Sequence, residues 1–96
     1  MKLIEFNNLP LSEKYSYIFT LPSIGRGRFI SFRKDGELMV SLWDLDSFFA
    51  EIYYSHKIGK VLKVEGFALT DDRINLYIDY FLEVNEKEVD LQVELA

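Results

Sequence analysis

Ninety-six residues give room for one hydrophobic core and no second domain. About half are apolar (49%) and fourteen are Phe or Tyr, which excludes a disordered chain, and no apolar run nears the ~20 residues of a membrane span. The net charge is −5 and there is no Cys, so a disulfide framework and thiolate metal sites are excluded.

The charge is unevenly placed. Residues 71–96 hold eight acids and two bases, whereas residues 1–70 hold eight acids and nine bases. An acidic C-terminal quarter repels nucleic acid and anionic membranes at range. Met1 to Glu5 carries an acid too early for a signal peptide and no apolar run follows it, so a cytoplasmic protein is expected.

In chain order, MKLIEFNN (residues 1–8) sets no period, and Asn7-Asn8 before Pro10 marks a break. A helix is expected at about 12–20. Ser12 is its N-cap, and Leu11, Tyr15, Ile18 and Phe19 form one stripe at i, i+4, i+7 and i+8. Pro22 closes it, and Ser23 to Gly27 is a loop. Arg28 to Lys34 alternates as a strand, and Asp35-Gly36 is a hairpin turn. A second strand over about 37–43 leads through Asp44-Leu45-Asp46-Ser47 into a third over about 48–55. Ser55 to Gly59 turns into a fourth strand, Lys60 to Ala68. Thr70-Asp71-Asp72 then caps a second helix over about 71–83 with Ile74, Tyr77, Ile78, Phe81 and Leu82 on one side. Ile74, Leu76, Ile78 and Tyr80 also alternate, so a strand stays open there. Val89, Leu91, Val93 and Leu95 alternate over 86–96, as an edge strand or a tail. The fold class is α+β: a helix, a four-stranded antiparallel meander, and a second helix in one domain.

Register divides the sheet into two faces. With Leu42 opposite Phe48, one face is aliphatic: Leu38, Val40, Leu42, Phe48, Ala50, Ile52, Tyr54, Leu62, Val64, Gly66 and Ala68. A five-residue loop at Ser55 to Gly59 pairs Glu51 with Lys63; a shorter loop would set Glu51 against Glu65, two like charges. The other face then carries Met39, Trp43, Phe49, Tyr53 and Phe67 among charges. Either the helices sit on opposite faces and these rings form a second small core, or both helices cover the aliphatic face and the rings meet a partner.

The run LWDLDSFFAEIYY (Leu42 to Tyr54), with Leu9 to Lys14 upstream, resembles a family of short bacterial proteins of unknown function. In them a helix precedes a compact β-meander, and a turn like Asp44-Leu45-Asp46 leads into an aromatic strand. The resemblance implies the α+β fold. It brings no activity, cofactor or catalytic residue.

Sites of chemistry are sparse. His56 lies in a turn, and its neighbour Ser55 points elsewhere, so the two are not a nucleophile and base. One His and no Cys argue against a zinc or copper site. Asp44-x-Asp46 begins like a calcium loop, but Phe49 and Ser55 stand where that loop needs Gly and Glu. Glu51 and Glu65 would make a carboxylate pair only in the register with the shorter loop; cross-strand pairing with Lys63 is the plainer role. The basic stretch Arg26, Arg28, Arg33 and Lys34 is a candidate anion site. Its glycines open a strand rather than a helix, unlike a phosphate cradle. With Phe29, Phe32, Trp43 and Phe49 it suggests a weak single-stranded RNA platform, against the acidic balance.

The expected function is therefore a non-catalytic protein-interaction module, a homodimer or the binder of an unidentified protein, using Met39, Trp43, Phe49, Tyr53 and Phe67. No cofactor is expected. The alternatives are a ligand or enzymatic pocket lined by Tyr15, Tyr54 and Tyr77, and the RNA platform.

Overall fold

Strong alternation and well-placed turns yield one antiparallel sheet whose strands follow chain order: β1 (Arg28–Asp35), β2 (Leu38–Asp44), β3 (Phe49–Ser55) and β4 (Lys60–Phe67). The structure, a computed structural model, describes residues 1–20 and 27–78. Arg26, the end of the expected second helix and the alternating stretch 86–96 lie outside the described residues.

Two helices precede the sheet. α1 (Leu3–Asn7) forms where the sequence pattern was undecided. Its Leu3 and Phe6, one turn apart, face the sheet, and Phe6 is fully buried. α2 (Leu11–Thr20) begins one residue before the expected start. The Pro10 carbonyl accepts from the amides of Glu13 and Lys14 at 3.0 Å each. Pro10 therefore opens the helix, where its missing N–H is no loss, and Ser12 lies inside the first turn rather than capping it. After β4, Asp71 caps a six-residue 3-10 helix, Asp72–Tyr77, by accepting from the Arg73 amide at 2.9 Å. The cap is as expected; over the described residues the expected helix begins as a tighter 3-10 strap.

The register differs from the sequence expectation. Leu42 lies opposite Glu51, Trp43 opposite Ala50 and Asp44 opposite Phe49. An odd shift between β2 and β3 exchanges the sides of β2. The cause is the turn. Asp46 takes φ +81 and donates its amide to Asp44 Oδ1 at 2.8 Å, while the Leu45 amide bonds the Phe48 carbonyl at 3.0 Å. The turn thus consumes Leu45 and Phe48, both buried to within 1%. Burying two large apolar side chains is worth roughly 3–6 kcal/mol, more than the tidier strand pairing could return. Glu51 lies opposite Glu65, not Lys63, and an irregularity in the ladder falls between Tyr53 and Tyr54.

Both faces are covered. α1 and α2 lie over Ala50, Ile52, Val64 and the Leu45–Phe48 turn, with Phe6 and Ile18 between. The 3-10 helix lies over the other face, where Tyr77 meets Leu42 and Phe67. The aromatic residues are thus shared between two cores, one on each side of the sheet. The β4 edge is closed as well. Asn7 bonds both the amide and the carbonyl of Gly66, at 2.8 and 3.0 Å, and Lys14 Nζ donates to the Val64 carbonyl at 3.1 Å. At the other edge, β1 shifts register between Phe29 and Ser31, a bulge that disfavours strand addition.

Gly27 joins α2 to the sheet. A Cβ there would stand 2.0 Å from the Ile18 carbonyl oxygen, and its φ is +74. Gly36 has a similar φ, +60, with nothing within 4 Å. Gly36→Ala should therefore lose about 1–2 kcal/mol through backbone strain alone, and Gly27→Ala a further ~1–3 kcal/mol through the clash. Urea unfolding of the two variants measures the difference.

Candidate interaction surface

One polar cluster lies beneath the 3-10 helix. Glu51 of β3 is fully buried. Its Oε2 accepts from Arg33 Nε and Nη2 at 3.3 and 3.1 Å and from the Tyr77 hydroxyl at 2.5 Å. Its Oε1 accepts from the Tyr53 hydroxyl at 3.0 Å and from Arg73 Nη1 at 3.2 Å. Arg73 Nη1 also reaches Glu65 at 3.1 Å, and Lys63 closes the rim on Glu65 at 2.8 Å. Arg73 bridges the two acids and removes the like-charge penalty that made Glu51 opposite Glu65 look unfavourable. Bonding to Lys63 and then to Arg73 holds the Glu65 carboxyl below its usual range. Burial pushes Tyr53 up to about 12, with the Glu51 charge adding to it, and pushes Tyr77 up further, reinforced by its bond to Glu51. Arg33 is raised despite burial, because its bonds to Tyr77 and Glu51 outweigh desolvation. Among the described residues no buried side-chain polar atom lacks a partner.

The helix side carries the other candidate. Tyr15 and Phe19 are one turn apart on α2, with ring centroids 4.6 Å apart. Phe19 meets Trp43 edge-on at 4.8 Å, Trp43 meets Phe29 at 5.4 Å, and Phe29 lies over Phe32 at 6.4 Å. The five rings form a continuous row from α2 across β2 to β1. Tyr15, Phe19, Phe29 and Phe32 are each 41–49% exposed, and Leu11, at the α2 end of the row, is 41% exposed. Trp43 is half-buried, and its Nε1 donates to Ser41 Oγ at 2.9 Å. Beside Tyr15 an open groove of about 350 Å³ is lined by Leu11, Ser12, Ser16 and Val61.

The expected site residues separate. Met39 and Trp43 lie on the helix side of the sheet, while Phe49, Tyr53 and Phe67 lie on the strap side, where Tyr53 and Phe67 are buried. The five do not share a surface. Of the basic stretch, Arg28 pairs with Asp44 at 2.9 Å and Arg33 with buried Glu51, and Lys34 projects to the face opposite Arg33. Tyr15 and Tyr54 belong to the helix side and Tyr77 to the strap side, so they line no common pocket. His56 is exposed in its turn, 4.9 Å from the Tyr54 ring. Among the described residues no helix is long and apolar enough to cross a membrane. Sequence reasoning missed the row because the α2 stripe Leu11-Tyr15-Ile18-Phe19 read as core, whereas only Ile18 is buried. The chain matches no family model, no curated protein and no solved structure.

Two expected outcomes follow from the cluster. Glu51→Ala strands the buried Arg33 guanidinium and leaves Arg73 with Glu65 alone, and should lose about 3–5 kcal/mol, against about 1.5–3 kcal/mol for Tyr77→Phe, which removes one bond to a charged acceptor; urea midpoints rank them. The tyrosines set an alkaline limit. Their folded pKa values lie above the ordinary 10.0, so the unfolded chain ionises first. Stability is fully present below pH 10 and is lost as the pH rises towards 12 and beyond. Urea unfolding across that range, read beside tyrosinate absorbance, should show at least two of the six tyrosines ionising only with unfolding.

Proposed function

We propose that the chain is a non-catalytic protein-interaction module that self-associates through the row Tyr15, Phe19, Trp43, Phe29 and Phe32. The observation that carries this reading is four large rings, each more than two-fifths exposed, in one continuous line. Rings of 150–250 Å² at that exposure leave roughly 300–450 Å² wet, an apolar patch as large as the largest found on typical monomers.

The rest of the molecule supports association by a face. Both sheet edges are defended, one by Asn7 and Lys14 and the other by the bulge, so extension by an added strand is disfavoured. The polar cluster offers no alternative chemistry. A carboxylate has about four acceptor sites, and Glu51 already receives five donor contacts. An acid–base role for Glu51 and Glu65 would need one of them free to meet a substrate.

Trp43 is the single Trp and stands in the middle of the row, which makes it the reporter. Acrylamide quenching of its fluorescence should rise as the protein is diluted, while sedimentation shows a dimer dissociating. Phe19→Ser, which removes the ring between Tyr15 and Trp43, should weaken association about tenfold or more, the ~1.4 kcal/mol expected of an aromatic anchor. A sedimenting monomer at every concentration, with quenching unchanged by dilution, ends the proposal.

A further inference from the structure

Resting on that reading, we infer that the partner is a second copy docked α2 against α2, antiparallel, about a two-fold axis through Tyr15. Leu11, Tyr15 and Phe19 recur at i, i+4 and i+8 and are exposed to nearly the same extent, 41, 41 and 42%. Such a row is an exposed ridge along which a second helix can lie. The row is symmetric in number about its middle residue. A two-fold axis at Tyr15 therefore sets Tyr15 against its own copy and each Leu11 against the second copy's Phe19.

The groove fits this arrangement. It opens beside the Leu11–Tyr15 half of the ridge, over Val61 and between the small side chains Ser12 and Ser16. Its ~350 Å³ exceeds the 150 Å³ in which a benzene ring can lodge, so it accepts the ring of Phe19 from the second copy. An isologous contact must be complementary to itself, and here one half of the ridge carries the ring and the other half borders the receptor. The electrostatics permit it. The charged residues of α2 are Glu13 and Lys14. Lys14 turns inward to the Val64 carbonyl, and Glu13 projects to the side away from Tyr15 on a 3.6-residue period. Neither charge of α2 lies on the ridge. Trp43 lies beside Phe19 at the end of the ridge, where a second copy would cover it.

The chain has no Cys, so single cysteines report contacts without background. Tyr15→Cys under mild oxidation should form a covalent dimer at least about tenfold faster than Glu13→Cys, the collision control on the far side, because the axis raises its effective concentration. A mixture of Leu11→Cys and Phe19→Cys proteins should cross-link to each other faster than either does to itself. Position 15 is half-exposed, and circular dichroism checks that its variant keeps the fold. If sedimentation shows a dimer but Phe32→Cys cross-links faster than Tyr15→Cys, the axis lies on the sheet part of the row: this inference falls and the association surface stands. A monomer throughout, with every variant cross-linking at the Glu13→Cys rate, removes both.

Discussion

A buried carboxylate decides the geometry of this protein. Glu51 gathers donors from three elements: Arg33 on β1, Tyr53 beside it on β3, and Arg73 and Tyr77 on the 3-10 helix. Its charge has no route to water, so each donor must be in place at once. That requirement fixes three things together: which side of β3 faces the strap, how β1 is set across β2, and where the chain returns after β4. An apolar cluster of equal volume could be as stable. It would not reject a one-residue slip, because aliphatic side chains accept many neighbours while a buried carboxylate accepts only these.

With that side of the sheet committed to the cluster and its strap, the helix side takes the larger apolar core. Coverage there is limited by dimensions. α2 has ten residues, about 15 Å of helix, whereas strands of seven or eight residues run about 24–27 Å. Short α1 seats on Gly66, where a Cβ would come within 2.8 Å of Leu3, and fills the β4 corner. At the opposite corner α2 reaches only as far as Trp43, through Phe19, and Phe29 and Phe32 on β1 stay about half exposed. The exposed row follows from a small helical layer on a longer sheet, and it is what makes association the reading the molecule supports best.

Much was legible in the chain. Alternation and turn chemistry placed all four strands to within about two residues, because side-chain period and Asp-Gly or Gly-ended turns act over a few residues. Asp71 was read as a cap for the same reason. Which side of β2 joins which side of β3 was not legible. Local rules for like charges argued against Glu51 opposite Glu65, and the residue that reverses the argument, Arg73, lies 22 positions further along the chain. Leu45 looks like part of a surface turn, yet it reaches the core beside Phe48, whose place on the core face was legible, because the turn curls beneath α1 and α2.

The sequence by itself determined the α+β class, a meander of four antiparallel strands and a helix before it, since these rest on periodicity and local backbone preference. Only the tertiary structure decided which aromatic rings stay wet. Trp43, Phe49, Tyr53 and Phe67 look alike in sequence as large rings on β-strands. What separates them is the register between β2 and β3 and the layer each side receives, and both are set by contacts between residues distant in the chain.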